Sequence, residues 1–194
     1  MTLFSAKELR LAYGHQTLLD GVTVAISSGE KVGLVGRNGC GKTSLLKILA
    51  NENRADSGDI SARRGLRIGY LPQEFELDLA LSVYDNIAAG AADVASAVTR
   101  YENGDGTESE LADLLTLIEH TDGWNLDARI KSLSNALFTP PLESETEPLS
   151  GGEKRRVALC SALASQPDLL LLAGHRRCCG IDESGHRMEP HLLG

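Results

Sequence analysis

Residues 36–43 read GRNGCGKT, and residues 149–153 read LSGGE. The first stretch has the spacing GxxxxGK[ST] of a phosphate-binding loop. Gly36, Gly39 and Gly41 give the backbone the freedom to turn its N–H groups inward around a phosphate. A helix opening at Lys42 adds its positive end. In this pattern Lys42 reaches the β- and γ-phosphates, Thr43 offers its hydroxyl to Mg²⁺, and Ser44 follows in the first helical turn. Arg37, Asn38 and Cys40 occupy positions where only backbone is needed. A glycine-rich turn without a ligand would share the glycines, but the context is that of a working loop. KVGLV precedes it and SLLKILA follows.

Working outward, Leu3–Leu11 and Thr17–Ile26 alternate like two strands joined at Gly14-His15-Gln16. Lys31–Val35 is a short apolar run of the buried-strand kind. The spacing predicts a helix from Lys42 to about Ala50, with Leu45, Leu46, Ile48 and Leu49 inward. Asp56-Ser57-Gly58-Asp59 reads as a turn and Leu66–Leu71 as a strand leading into Pro72-Gln73-Glu74. From Ser82 to about Leu137 the apolar residues recur at helical spacing, broken at Asn103-Gly104-Asp105-Gly106. Thr139–Pro148 is a loop, Gly151–Ser165 a helix, and Asp168–Leu172 a buried strand.

The bulk properties suit one soluble domain. Hydrophobic content is 42% and charged content 24% of 194 residues. The longest apolar run, Leu169–Ala173, is too short to cross a bilayer, and MTLFSAKELRLAYG has no signal-peptide pattern. A cytoplasmic location is therefore expected. Four cysteines without a C-x-x-C pair agree with it. The net charge of −8 argues against a bulk nucleic-acid footprint. Residues 93–122 carry eight acidic side chains and Arg100 as the one basic side chain, which reads first as a solvated helical hairpin.

LSGGE has chemistry of its own. Ser150 can cap the helix opening at Gly151, with Glu153 three residues on. The same amides can hold a phosphate, and the sequence is compatible with both roles.

Taken in order, Tyr13, GRNGCGKT, Gln73 in YLPQE, LSGGEKRRVAL and PDLLLL resemble the ATP-binding cassette (ABC) superfamily over most of the chain. The resemblance implies an α/β P-loop NTPase fold of ABC type, with an antiparallel β subdomain and a helical subdomain. It implies that Tyr13 stacks on adenine and that Gln73 contacts Mg²⁺ or the attacking water. It further implies that Leu149, Ser150, Gly151, Gly152 and Glu153 form a signature facing an ATP on a partner cassette. Within the superfamily the motifs look like the ABC-F group, especially its Uup-like members. Those are two-cassette proteins without a membrane domain that act on ribosomes or, less clearly, on DNA intermediates. The alternative is the ATP-binding subunit of a transporter with a membrane partner, or a non-catalytic nucleotide-binding fragment. The resemblance divides the chain into a cassette at 1–172, with a helical subdomain at about 82–165 and an arm at about 93–122, and an atypical tail at 173–194.

The pattern then departs from the family. Where LLLL should continue as DEPTNHLD, the chain reads LLLLAGHRRCCG. Ala173 replaces the Walker B aspartate and Gly174 the catalytic glutamate, so neither can hold a metal shell nor activate water. ATP binding without significant turnover is expected. The tail holds three of the five histidines and two of the four cysteines, without apolar periodicity. This suggests a reading-frame shift after Leu172 and a cassette whose later strands are missing. If no other frame of the coding DNA encodes a DEPTNHLD-like stretch, the suggestion fails. A metal set of His175, Cys178, Cys179 and His186 matches no standard zinc spacing. An incomplete core with an exposed apolar edge is the expected folding consequence.

Overall fold

A long antiparallel hairpin founds the structure, a computed structural model that describes residues 1–37 and 39–174. Asn38, and the expectations for His175, Cys178, Cys179, His186 and the rest of the tail, lie outside the described residues. Strand β1 (Thr2–Tyr13) turns at Gly14 into β2 (Gln16–Ser27), pairing from Thr2–Ser27 to Tyr13–Gln16. On the other edge of β1 lies β3 (Ser57–Ala62), also antiparallel, giving the sheet order β2-β1-β3. Every residue of β3 is exposed, so backbone pairing rather than burial holds it. Gly58 explains how it fits. At φ 108° its place for a Cβ lies 2.7 Å from the carbonyl oxygens of Lys7 and Glu8, where β1 bulges. No side chain can enter that gap.

A second, two-stranded sheet is parallel. Strand β4 (Ile68–Leu71) pairs with β5 (Leu169–Leu172) in the register Ile68–Leu169 to Leu71–Leu172. Helix α1 (Lys42–Leu49) packs Leu45, Ile48 and Leu49 into a core with Phe4, Leu9, Leu19, Leu169 and Leu171. The remaining helices build a separate core. They are α2 (Val83–Ala89), α3 (Ala92–Asn103), α4 (Glu108–His120), α5 (Leu126–Leu137) and α6 (Gly151–Ala164). Val83, Ile87, Val94, Ile130, Val157 and Cys160 meet there. Burial pushes the Cys160 thiol up to about 11.

Local chemistry sets the helix ends. Ser82 caps α2, and Thr107 with Glu110 forms a full capping box on α4. Gly104, at φ 69°, ends α3 and opens the hairpin turn. The break at Asn103–Gly106 thus lies where the sequence puts it.

Two expectations need correction. Lys31–Val35 forms no strand, and Val32, Leu34 and Val35 are 54%, 45% and 79% exposed. An apolar run becomes a buried strand only when neighbours pair with both edges, and among the described residues none pairs with this one. Residues 57–59 are the start of β3 rather than part of a turn. In β5, Leu169 and Leu171 are buried while Leu172 is 50% exposed, so the expected apolar edge is present.

Candidate nucleotide site and signature helix

The phosphate loop leads from the irregular segment 31–37 into the N-terminus of α1. Gly41 is the N-cap residue at φ 85°, and a Cβ there would stand 2.5 Å from the carbonyl oxygen of Leu18. Glycine is therefore required both by the left-handed backbone and by the close approach of β2. No side chain caps α1, so its first amides keep their donor capacity. Lys42 Nζ donates to the carbonyl oxygens of Gly36 and Arg37, each at 2.6 Å, and lies 3.5 Å from Cys40 Sγ. The ammonium thus closes the loop upon itself. Thr43 is exposed and Ser44 partly buried.

Tyr13 ends β1 with 58% of its surface exposed. Its hydroxyl accepts from Asn53 Nδ2 at 3.0 Å, a partner just past α1. Asn53 fixes the ring's direction, a role with no signal in the sequence. Gln73 lies just after β4 and is exposed.

The signature opens α6. Ser150 Oγ accepts from the Glu153 amide at 3.4 Å, and Glu153 Oε2 accepts from the Ser150 amide at 2.9 Å and the Ser150 hydroxyl at 2.6 Å. The Ser150 hydrogen bonds hold the Glu153 carboxyl below its usual range. Gly151 and Gly152 remain exposed, while Leu149 packs on the helical core. The capping box is therefore formed, and it leaves the two glycine faces open.

A polar latch joins the segment after Gln73 to the lead-in of the signature. Thr146 Oγ1 donates to the Leu81 carbonyl at 2.7 Å and accepts from Asn86 Nδ2 at 3.0 Å. Both side chains are buried.

At the end of β5, the Ala173 amide donates to the Leu71 carbonyl at 2.9 Å, and the residue is 4% exposed. Its carbonyl accepts from Arg155 Nη2 at 2.9 Å. A buried methyl group thus stands at the end of β5, with the Arg155 guanidinium held on the backbone carbonyl of the same residue. Mg²⁺ is held through carboxylates together with substrate phosphates. Thr43 and Gln73 are neutral donors, and Ala173 and Gly174 add none. Among the described residues no group of three His, Cys, Asp or Glu could hold a metal. Among the described residues the donor set does not fit a protein-held Mg²⁺.

Arg67, just before β4, brackets the base of the parallel sheet. Its amide donates to Asp168 Oδ2 at 3.0 Å, Nε to the Ser165 carbonyl at 3.2 Å, and Nη2 to Asp93 Oδ2 on α3 at 2.8 Å. Arg63 meets the other Asp168 oxygen at 2.6 Å.

Comparison with known proteins agrees with this geometry. A family model described as ABC transporter matches residues 19–173, and the chain belongs to that family. Its curated relatives place it in the ABC-F group. The energy-dependent translational throttle protein EttA of Mycobacterium tuberculosis is 37% identical over 179 residues, 88% of this chain and 32% of that protein. The tylosin resistance ATP-binding protein TlrC of Streptomyces fradiae is 35% identical, over 94% of this chain and 36% of that protein. The chain spans about a third of the length of these relatives. Among solved structures, the ATP-binding subunit of an ABC transporter matches 88% of this chain and 65% of its own, at TM-score 0.66 and 21% identity. A dimeric bacterial ABC transporter cassette matches 88% of this chain and 73% of its own, at TM-score 0.63 and 20% identity. The α/β cassette fold is thereby established. No helix among the described residues is long and apolar enough to cross a membrane.

Proposed function

We propose that this chain is the ATP-binding cassette unit of an ABC-F-type protein, binding ATP at its phosphate loop and lacking hydrolysis of its own. One observation carries the reading: GRNGCGKT leads into an uncapped helix N-terminus, with glycine required at Gly41 and the Lys42 ammonium held at the loop's centre. On nucleotide entry, Lys42 exchanges the Gly36 and Arg37 carbonyls for phosphate oxygens, and the first amides of α1 complete the cradle. Tyr13 supplies an exposed aromatic face for adenine.

The open faces of Gly151 and Gly152 at the start of α6 suit the phosphate of a nucleotide carried by a second cassette, fused or in trans. A solved relative of the same fold is a dimer, which supports that arrangement. A relative named for throttling translation supports the ribosome as the larger partner and a cytoplasmic setting. The hairpin of α3 and α4 would be the arm, within a helical subdomain at about 82–165. In an intact parent, cassette closure on ATP would drive the work on that partner.

Equilibrium titration of the chain with ATP tests the proposal, alongside a phosphate-release assay. Lys42-dependent binding without release is expected. Phosphate release abolished by Lys42→Ala would show that the chain hydrolyses ATP after all.

A further inference from the structure

We propose that the ligand of this phosphate loop is the metal-free nucleoside triphosphate, and that a divalent cation adds nothing to its affinity. The inference rests on the nucleotide-binding reading above and specifies which form of the nucleotide that site takes.

Three observations converge. The candidate oxygen donors, Thr43 and Gln73, are neutral and exposed. At the end of β5, the side chain of Ala173 is a buried methyl and Gly174 has none, so that strand offers a metal no carboxylate oxygen. The charge held there also has the opposite sign: the Arg155 guanidinium is fixed on the Ala173 carbonyl at 2.9 Å.

Charge and hydration decide the preference. The free triphosphate is more negative than its divalent-metal complex by the full charge of the ion. The charges placed at the loop are the Lys42 ammonium and the positive end of α1. Such a set attracts the more negative form more strongly. Mg²⁺ in addition gives up its water reluctantly and is held through carboxylates. Two neutral oxygens offset little of that dehydration, so the ion gains little here beyond the phosphates and waters it already holds.

The test measures binding, not turnover. The full 194-residue chain is titrated with ATP by calorimetry, once with excess Mg²⁺ and once with EDTA, at matched ionic strength. The affinity in EDTA is expected to equal or exceed that in Mg²⁺, within about threefold, as follows from a site with no carboxylate for the ion among the described residues. Ala173→Asp, if it folds, should reverse the preference. Affinity at least about tenfold tighter with Mg²⁺ in the unsubstituted chain would overturn the proposal while leaving nucleotide binding intact. Binding that is unchanged in Lys42→Ala under both conditions would overturn the phosphate-loop reading itself, and this proposal with it.

Discussion

Lys42 Nζ lies 2.6 Å from the carbonyl oxygen of Gly36, so the residue proposed to meet phosphate also closes the loop. Binding must therefore break contacts as well as make them. Replacing the lysine removes a charge-assisted contact to phosphate, a loss of about 1.5–3 kcal/mol. Lys42→Ala should weaken ATP binding by at least about tenfold. The loop is exposed, so the thermal midpoint should hardly move. Calorimetric titration and a melting curve on the same sample check both halves.

The Asn86–Thr146 latch is buried, and its loss should register as stability. Asn86→Leu removes the Asn86 hydrogen bonds to Thr146 and to the Asp78 amide and carbonyl, while Thr146 keeps the Leu81 carbonyl and the Asp78 carbonyl keeps the Leu81 amide. Each intramolecular hydrogen bond lost costs about 0.5–1.5 kcal/mol. Urea denaturation should show that loss, and a midpoint equal to that of the unsubstituted chain would rule out the latch as a stabilising element.

Acid should weaken the base of the parallel sheet. Burial pushes the Asp168 carboxyl up, but the Arg67 amide and the Arg63 guanidinium outweigh it, and the net position is below the ordinary value of 3.8. A carboxyl depressed in the folded state contributes stability above its ordinary pKa. That contribution fades as pH falls below 3.8 and through the depressed folded value. Asp168→Asn should flatten this acid limb in denaturation curves taken at successive pH values. A limb of unchanged steepness would place the proton uptake elsewhere.

Thiol labelling should separate two cysteines. Cys40 is exposed and Cys160 is buried in the helical core with its thiol pushed up to about 11. Thiolate is the reactive form. Peptide mapping after brief alkylation should find Cys40 modified, and Cys160 modified only in denaturant.

The apolar edge should govern handling of the protein. Val32 and Val35 are exposed, and so is Leu172 on β5. Val35→Lys should slow light-scattering growth at raised temperature while changing stability by no more than about 0.5 kcal/mol. Equal growth in both proteins would move the sticky surface elsewhere.

Much of this was legible in the sequence because the signals are local. Ser150 and Glu153 lie three residues apart and form the capping box that their spacing implies. Asn103–Gly106 breaks the helices where glycine must. The β1–β2 hairpin follows from alternation across a glycine turn. What escaped was set by distant partners. SGDISA shows no alternation, and it is a strand only because β1 offers an open edge. KVGLV has the composition of a buried strand, but composition cannot supply a neighbour. Asn53 on Tyr13 and Arg155 on Ala173 are contacts across 40 and 18 residues, which no spacing rule reaches.

Arg67 gives the molecule a pivot. Asp93, its partner, lies in the first turn of α3, so about 15 Å of that helix projects beyond the contact. A load on the tip of the α3–α4 hairpin acts through that length on the Arg67 guanidinium and on the buried Val94 and Ala97 of α3. The same side chain is fastened to the Ser165 carbonyl just past α6, and the Arg67 amide holds Asp168 at the foot of β5. One residue thus links the acidic hairpin to the strand Leu169–Leu172.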